Sequence, residues 1–242
     1  MVPIDLQILK YIFMEKPIYY FKMKPYFQTE PYLNLCEYME KTPDKELSNN
    51  LNQREYTVFD LETTGFLPEI GHEILSIGAV RMDVKGRIID EMHQLIKPIR
   101  PVPKDILSLT NLSRESLAAA PSFIDGFHRF LAFSEHSTLV AHPAHFDVRF
   151  LRAMVKRWKL PEYSPACIDS QLMAKLAVPH VSHRLDPLLS HFNIHSLERH
   201  HALNDAVMTA ELFKELLKII CEEHGIYTYS GLQQELKKQK SS

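Results

Sequence analysis

The chain is poor in cysteine, has no long apolar run and carries no excess of positive charge, and each shortage removes a class of protein. Its three cysteines, Cys36, Cys167 and Cys221, are far apart and odd in number. Neither a disulfide framework nor a CxxC metal knuckle is encoded, and a reducing compartment is expected. No stretch approaches about 18 apolar residues, which excludes a spanning helix. The apolar positions between Met1 and Lys16 are broken by Asp5, Lys10 and Glu15, and no small-residue cleavage site follows a charged start. A soluble, cytoplasmic protein with no membrane partner is the expectation. Lys+Arg 28 against Asp+Glu 30 leaves a net charge of −2. That balance excludes a protein that coats nucleic acid through bulk cationic charge, but not an enzyme that grips one strand end. Internal repeats and low-complexity tracts are absent too. What is present is ordinary globular material: 242 residues, 45% hydrophobic and 24% charged, enough to bury a full core.

Tyrosine and proline divide the chain. Tyr11, Tyr19, Tyr20, Tyr26, Tyr32 and Tyr38 all precede residue 50, among Pro17, Pro25, Pro31 and Pro43. This segment is too apolar for a free tail and too often interrupted for one long helix, so short helices and extended pieces that pack on something are expected. The polar stretch Ser48–Gln53 reads as a linker, which divides the chain into an accessory segment 1–53, a main domain 54–222 and a helical or frayed tail 223–242. From Tyr56 to Glu62 the residues alternate as a strand, ended by Thr63-Thr64-Gly65. Apolar runs at Ile74–Met82 and Ile88–Ile96 flank the turn Asp83–Gly86 and form a hairpin. A helix at Ser122–Phe133, a strand at Thr138–Ala141, a helix at Ala144–Trp158 and a strand near Ala166–Ile168 follow, with helices to the end. A meander followed by alternating helices and strands implies an α/β fold with a mixed sheet covered by helices.

Asp60 and Glu62 are two apart on a strand, so their carboxylates leave one face roughly 7 Å apart. Side by side they repel unless a cation lies between them. Asp147 and Asp205 each head the apolar stripe of a helix, followed by Phe150, Leu151 and Met154 in one case and by Met208, Leu212 and Leu216 in the other. An acid in a first helical turn is favoured by the macrodipole without any function, but two acids on the core-facing stripe are harder to assign that way. His200 enters the second of these helices five residues before Asp205. Imidazole is the group suited to proton abstraction near neutrality, although a lone loop histidine is ordinarily just solvated.

Three segments carry a specific resemblance: Asp60-Leu61-Glu62-Thr63-Thr64-Gly65, Ala141-His142-Pro143-Ala144-His145-Phe146-Asp147, and His200-His201-Ala202-Leu203-Asn204-Asp205. In order and spacing they resemble the motifs of the DEDDh, or DnaQ-like, 3′-5′ exonucleases, a family that includes the proofreading epsilon subunit of bacterial DNA polymerase III. Ile77-Gly78-Ala79-Val80 and Leu109-Thr110-Asn111-Leu112 support the match. The resemblance covers about residues 54–220. It implies a ribonuclease H-like fold, to which the aromatic-rich N-terminal segment would be an appendage, with two Mg²⁺ or Mn²⁺ ions held by Asp60, Glu62, Asp147 and Asp205, and His200 as general base. It places the 3′-terminal nucleotide against Leu61, Thr63, Thr64, Leu109, Thr110 and Phe146. The implied reaction is removal of nucleoside 5′-monophosphates from single-stranded or frayed 3′ ends of DNA, in proofreading or repair. An exoribonuclease is the alternative within enzymes. A weakly active binding module of a replication or repair complex, joined through the N-terminal segment, is the alternative of another class. Two positions depart from the family pattern. Pro143 stands where Asn is usual and suits a first helical position; Asn111 stands where Gly is common and tolerates the left-handed region.

Other clusters have simpler readings. Six histidines between His180 and His201 lack any cysteine or finger spacing, so a zinc site is not expected. Asp169 and Asp186 read as helix N-caps. Lys22 and Lys24 among the N-terminal aromatics could suit a single strand, but packing on the body or on a partner is the stronger expectation. Lys237–Lys240 reads as a frayed end.

Overall fold

The computed structural model describes residues 8–41 and 47–241; Met1–Gln7 and Pro43 lie outside them. The N-terminal segment is helical: a π-helical turn Tyr11–Glu15, α1 (Lys16–Met23), a 3-10 turn Lys24–Gln28 and α2 (Glu30–Lys41). The strands β1 (Tyr56–Thr63), β2 (Ile74–Met82) and β3 (Ile88–Leu95) form the meander. Next come α3 (Lys104–Thr110), α4 (Arg114–Ala119), α5 (Phe123–Phe133), β4 (Thr138–Ala141), α6 (Ala144–Arg157) and β5 (Cys167–Asp169). The chain closes with α7 (Ser170–Ala177), α8 (Leu185–His191), α9 (Ala202–Glu222) and α10 (Tyr229–Ser241). The sheet order is β3-β2-β1-β4-β5. The meander strands are antiparallel, while β4 runs parallel to both β1 and β5.

Strand alternation sends each sheet face into its own core. Phe59, Leu61 and Ile77 meet Phe127 and Phe130 of α5 and Phe150, Leu151 and Met154 of α6. Val58 and Val80 meet Met208, Leu212, Phe213 and Leu216 of α9. Each such fully buried side chain contributes about 1.5–3 kcal/mol. The expected hairpin and the helices around residues 122–133 and 144–158 are present, Ser122 capping α5 by accepting from the Asp125 N–H. β5 starts one residue later than expected. The helices α3 and α4 are too short, at under two turns, to show a period in the sequence.

Four expectations need correction. The stretch Ser48–Gln53 is docked: Leu51 is fully buried, Asn50 bridges to Thr228, and the Tyr229 N–H donates to the Asn49 carbonyl at 2.7 Å. A single leucine anchors this polar stretch. Residues 237–240 belong to α10, whose Leu232 and Leu236 are buried against α9's core, so the end is a packed helix. Asp186 lies in the first turn of α8, and the cap position belongs to Arg184. Asp169 is an N-cap as expected, accepting from the Gln171 and Leu172 N–H groups. Pro143 is the residue before α6 and not its first, joined to His142 by a cis bond, and the helix forms.

One glycine sets the distance between α9 and the sheet. A Cβ on Gly78 would lie 2.1 Å from both the Ala202 carbonyl carbon and the Leu203 nitrogen, backbone atoms that cannot rotate away. Gly78 pairs with Asp60 across the β1–β2 ladder. Gly78→Ala is therefore expected to push the first turn of α9 off the sheet, costing about 3 kcal/mol and displacing Asp205. Thermal unfolding and turnover should both fall, turnover by about 10²-fold if the shift approaches 1 Å.

Candidate active site

The site forms at the edge of the sheet where β1 and β4 end. These two strands are parallel and in register from Tyr56↔Thr138 to Val58↔Val140, so β1 carries Asp60 and Glu62 beyond the paired region. The sequence turns into α6 within three residues of β4, which delivers Asp147 to the same edge. Asp205 arrives from the sheet face covered by α9, the face toward which Tyr56 and Val58 also point. Carboxyl ends of strands with helices starting beside them are the usual place for ligands in α/β sheets.

All four acids meet there. Asp60 is held well above the usual carboxylate range, first by burial and then by repulsion from Asp147, Asp205 and Glu62, with Arg199 pulling the other way. Glu62 is pushed up to about 7 by burial and by Asp205. Burial raises Asp147 as well, with Asp169 and Glu62 adding to it. Asp205 is raised by burial against the pull of Arg199 and the His200 N–H. Glu62, His200 and Asp205 offer ligand atoms that all lie within 4.8 Å of one another, the only such group among the described residues. His200 is exposed and in the left-handed region at φ 61°, a conformation that turns its backbone N–H onto Asp205 Oδ2 at 3.1 Å. His201 occupies the N-cap of α9.

Not every expected contact residue faces the site. Leu61 is buried in the core beneath the sheet and Thr110 is buried with its hydroxyl donating to the Ile106 carbonyl, so these two positions could meet a nucleotide only through their backbone groups. Leu109 and Thr110 also end the helix α3 instead of lying in a loop, and Asn111 caps it at φ 54°. Leu109 is half exposed. Thr63 and Thr64 use their hydroxyls to shape the turn, Thr63 donating to the Gly65 carbonyl at 2.8 Å and Thr64 accepting the Glu73 N–H at 2.9 Å. Phe146 packs edge-on against Phe66, centroids 6.1 Å apart.

Two residues enter that the sequence reading passed over. Phe66, 76% exposed, follows the Thr-Thr-Gly turn; an aromatic displayed directly after a motif was the available signal. Arg199, directly before the third motif, pairs with Asp205 and lies 2.7 Å from Asp186 through its Nε. It supplies one fixed positive charge to a cluster of four acids.

The chain that forms this edge has counterparts among known proteins. A model of the family described as "Exonuclease" matches residues 57–213. The chain belongs to this exonuclease family. The DNA polymerase III PolC-type protein of Thermotoga petrophila is 32% identical over 198 residues, 82% of this chain and 14% of that protein. Its counterpart from Streptococcus mutans is 34% identical over 195 residues, 80% of this chain and 13% of that protein. The chain thus spans about one seventh of the length of these curated relatives. Among solved structures, exonuclease X in complex with 5′-overhanging duplex DNA superposes with a TM-score of 0.58, 22% identity, and coverage of 75% of this chain and 99% of that one. The nuclease domain of 3′hExo, a DEDDh family member bound to rAMP, gives a TM-score of 0.62 at 19% identity, covering 70% and 94%. The exonuclease family's ribonuclease H-like fold, a mixed five-stranded sheet flanked by helices, is the fold of this chain. No helix among its described residues is long and apolar enough to cross a membrane.

The acid cluster has a signature in stability. The folded pKa values of the four acids lie above their unfolded values, so the folded state binds more protons. The associated stability is full below about pH 4 and is lost as pH rises through the raised values, through about 7 for Glu62. His142 works in the opposite sense. Burial lowers it from 6.5 to about 4, so its contribution is present above pH 6.5 and lost as pH falls toward 4. In EDTA the Tm should therefore peak near pH 6 and drop by roughly 5–10 °C by pH 8.5, and excess Mn²⁺ should remove that drop. A scanning-calorimetry series across pH with and without Mn²⁺ checks it; a Tm flat from pH 6 to 8.5 in EDTA would contradict the clustering.

Proposed function

We propose that this chain is a divalent-metal-dependent exonuclease that removes nucleoside 5′-monophosphates from the 3′ end of DNA, acting on single-stranded or frayed ends. The observation that carries this reading is the convergence of Asp60, Glu62, Asp147 and Asp205 with an exposed imidazole at one sheet edge.

The donor set suits Mg²⁺ or Mn²⁺. Hard dications prefer carboxylate oxygen, and four acids repelling one another at one place, offset by a single guanidinium, leave negative charge that bound dications would neutralise. Asp60, Glu62, Asp147 and Asp205 would hold the ions. Bound there, they would stabilise charge on the attacking and leaving oxygens of an in-line phosphoryl displacement. His200 stands at the open side of the cluster and serves as the acceptor of the attacking water's proton. Its backbone bond to Asp205 holds the imidazole's Cα in place without occupying either ring nitrogen. Phe66 and Phe146 present an apolar wall beside Asp147 for the terminal base, and Leu109 offers an exposed apolar tip. The Thr63–Thr64 turn supplies backbone groups whose positions are set by Gly65 and Glu73.

DNA is favoured because the relatives above 30% identity are DNA polymerase III proteins; the role in replication or repair rests on the same likeness. The second reading, an exoribonuclease, draws on the ribonucleotide-bound 3′hExo neighbour at 19% identity. Single-stranded DNA and RNA of one sequence, labelled at the 5′ end and separately at the 3′ nucleotide, incubated with Mg²⁺, Mn²⁺ or EDTA, test both. Metal-dependent release of the labelled 3′ mononucleotide with progressive shortening of the 5′-labelled strand is expected. Metal-independent release, or internal cuts, would overturn the mechanism, and faster release from RNA would move the substrate assignment.

A further inference from the structure

We propose that the N-terminal segment Tyr11–Gln28 is a platform for the single strand upstream of the 3′ end being cut. This inference rests on the exonuclease reading. One side of the segment is fastened to the body. The Tyr19 hydroxyl lies 2.5 Å from the Gly71 carbonyl and 2.8 Å from Glu73, and Glu73 also accepts the Ile99 and Arg100 N–H groups at 2.7 and 3.0 Å. Glycine at position 71 is required by the contact, since a Cβ there would lie 2.8 Å from the Tyr11 ring.

The other side is open. Phe13 and Phe21 are 74% and 71% exposed, and Tyr20 is exposed beside them in sequence. Near them in sequence stand Lys10, Lys16, Lys22 and Lys24, all exposed, with Lys22 tied to the body by donating to the Ile99 carbonyl at 3.0 Å, against a single acid between residues 8 and 28. That acid, Glu15, is already paired with Lys10 and Arg100. Lys159 adds a fifth cation, its Nζ 4.7 Å from the Tyr20 ring centroid and 5.2 Å from that of Phe27. A cationic, aromatic surface on a chain of net charge −2 is complementary to a polyanion with stacking faces. Exposed aliphatic side chains such as Ile12 and Ile18 share the surface, so a protein or lipid partner is the competing occupant.

Position favours the nucleic acid. The loop that clamps Tyr19 is the loop that follows the active-site strand: the Glu73 N–H donates to the Thr64 hydroxyl, and the Thr64 N–H donates to the Glu73 carbonyl at 2.9 Å. Phe66, which stands over Phe146 next to Asp147, is five residues from Gly71, so their Cα atoms are at most about 17 Å apart. Even at the 3.4 Å spacing of a stacked duplex strand that is about five nucleotides, and an extended single strand needs fewer. A strand whose terminal base meets Phe66 thus needs only a few further nucleotides to reach the segment.

The test compares dT4 with dT20, each labelled with fluorescein, by anisotropy in EDTA so that no turnover intervenes. Wild type should bind dT20 at least tenfold more tightly than dT4. Phe13→Ala with Phe21→Ala should lower dT20 affinity about tenfold, and Lys16→Glu with Lys24→Glu should reduce the salt slope for dT20 by more than one. The variants should also lose the wild-type preference for long strands in kcat/KM. Equal affinity for both lengths, or unchanged dT20 binding in the variants, would overturn the platform. So would unchanged dT20 binding accompanied by loss of self-association in ultracentrifugation or of binding to anionic vesicles, which would assign the face to a second copy or a lipid surface. If wild type degrades neither DNA nor RNA, the exonuclease reading fails, and the anisotropy result stands apart from it.

Discussion

Replacing Asp60 by Asn is expected to make the protein more stable and nearly inactive. Asp60 is the acid on which the other three converge, raised by burial and by Asp147, Asp205 and Glu62. Removing its charge relieves repulsion that no protein cation fully offsets, since Arg199 is committed to Asp205 and Asp186. At pH 8 in EDTA the Tm should rise by a few degrees, because a single pKa unit is worth about 1.4 kcal/mol and about 1 kcal/mol moves a domain of this size by roughly 2–4 °C. Turnover should fall by about 10³-fold, the scale on which removal of one electrostatic stabiliser acts. The Mn²⁺-dependent gain in Tm should shrink in parallel. Opposite signs for stability and activity set this apart from a folding defect: a variant that loses both would show Asp60 to be structural.

His200→Ala should lower kcat by 10²- to 10⁴-fold, the range typical of a positioned general base, while leaving the fold intact. The hydrogen bond that His200 makes to Asp205 comes from its backbone N–H, and this bond survives truncation of the side chain. The exposed ring makes few packing contacts to lose. Mn²⁺ titration followed by the thermal shift should therefore stay within a fewfold of wild type, and added imidazole should restore part of the lost rate. Wild-type activity in this variant would move the base elsewhere. A loss of metal response equal to the loss of rate would make His200 a ligand, which its 4.8 Å grouping with Glu62 and Asp205 allows geometrically.

The sequence was legible where a periodicity or a motif was long enough to read. β1 reads as a strand from Tyr56 to Glu62, and its two acids, with Asp147 and Asp205 at the heads of amphipathic helices, were already a set. Short elements were not legible: α3, at seven residues, makes fewer than two turns, so Leu109 and Thr110 read as loop. Solvent direction was not legible either. Leu61 and Thr110 lie within matching motifs, yet their side chains face the interior because the pleat and the helix phase decide it. Ser48–Gln53 shows the same limit from the polar side, where one buried leucine outweighs five polar neighbours.

By itself the sequence determined the chemical inventory: four carboxylates and a histidine, carried on a strand and two helix starts whose order belongs to a known family of exonucleases. Only the tertiary structure decided where they stand. The parallel pairing of β1 with β4 brings Asp60, Glu62 and Asp147 to one edge, Gly78 lets α9 approach closely enough to add Asp205, and Glu73 ties the N-terminal segment to the turn beside them. The physical reason is that residue type and local period are encoded within a few positions, whereas the charge density of a site depends on distances between elements up to 150 residues apart in the chain. The slightly acidic net charge reports the inventory and conceals its arrangement: acids gathered at one edge, and a lysine-rich aromatic face on the segment fastened beside it.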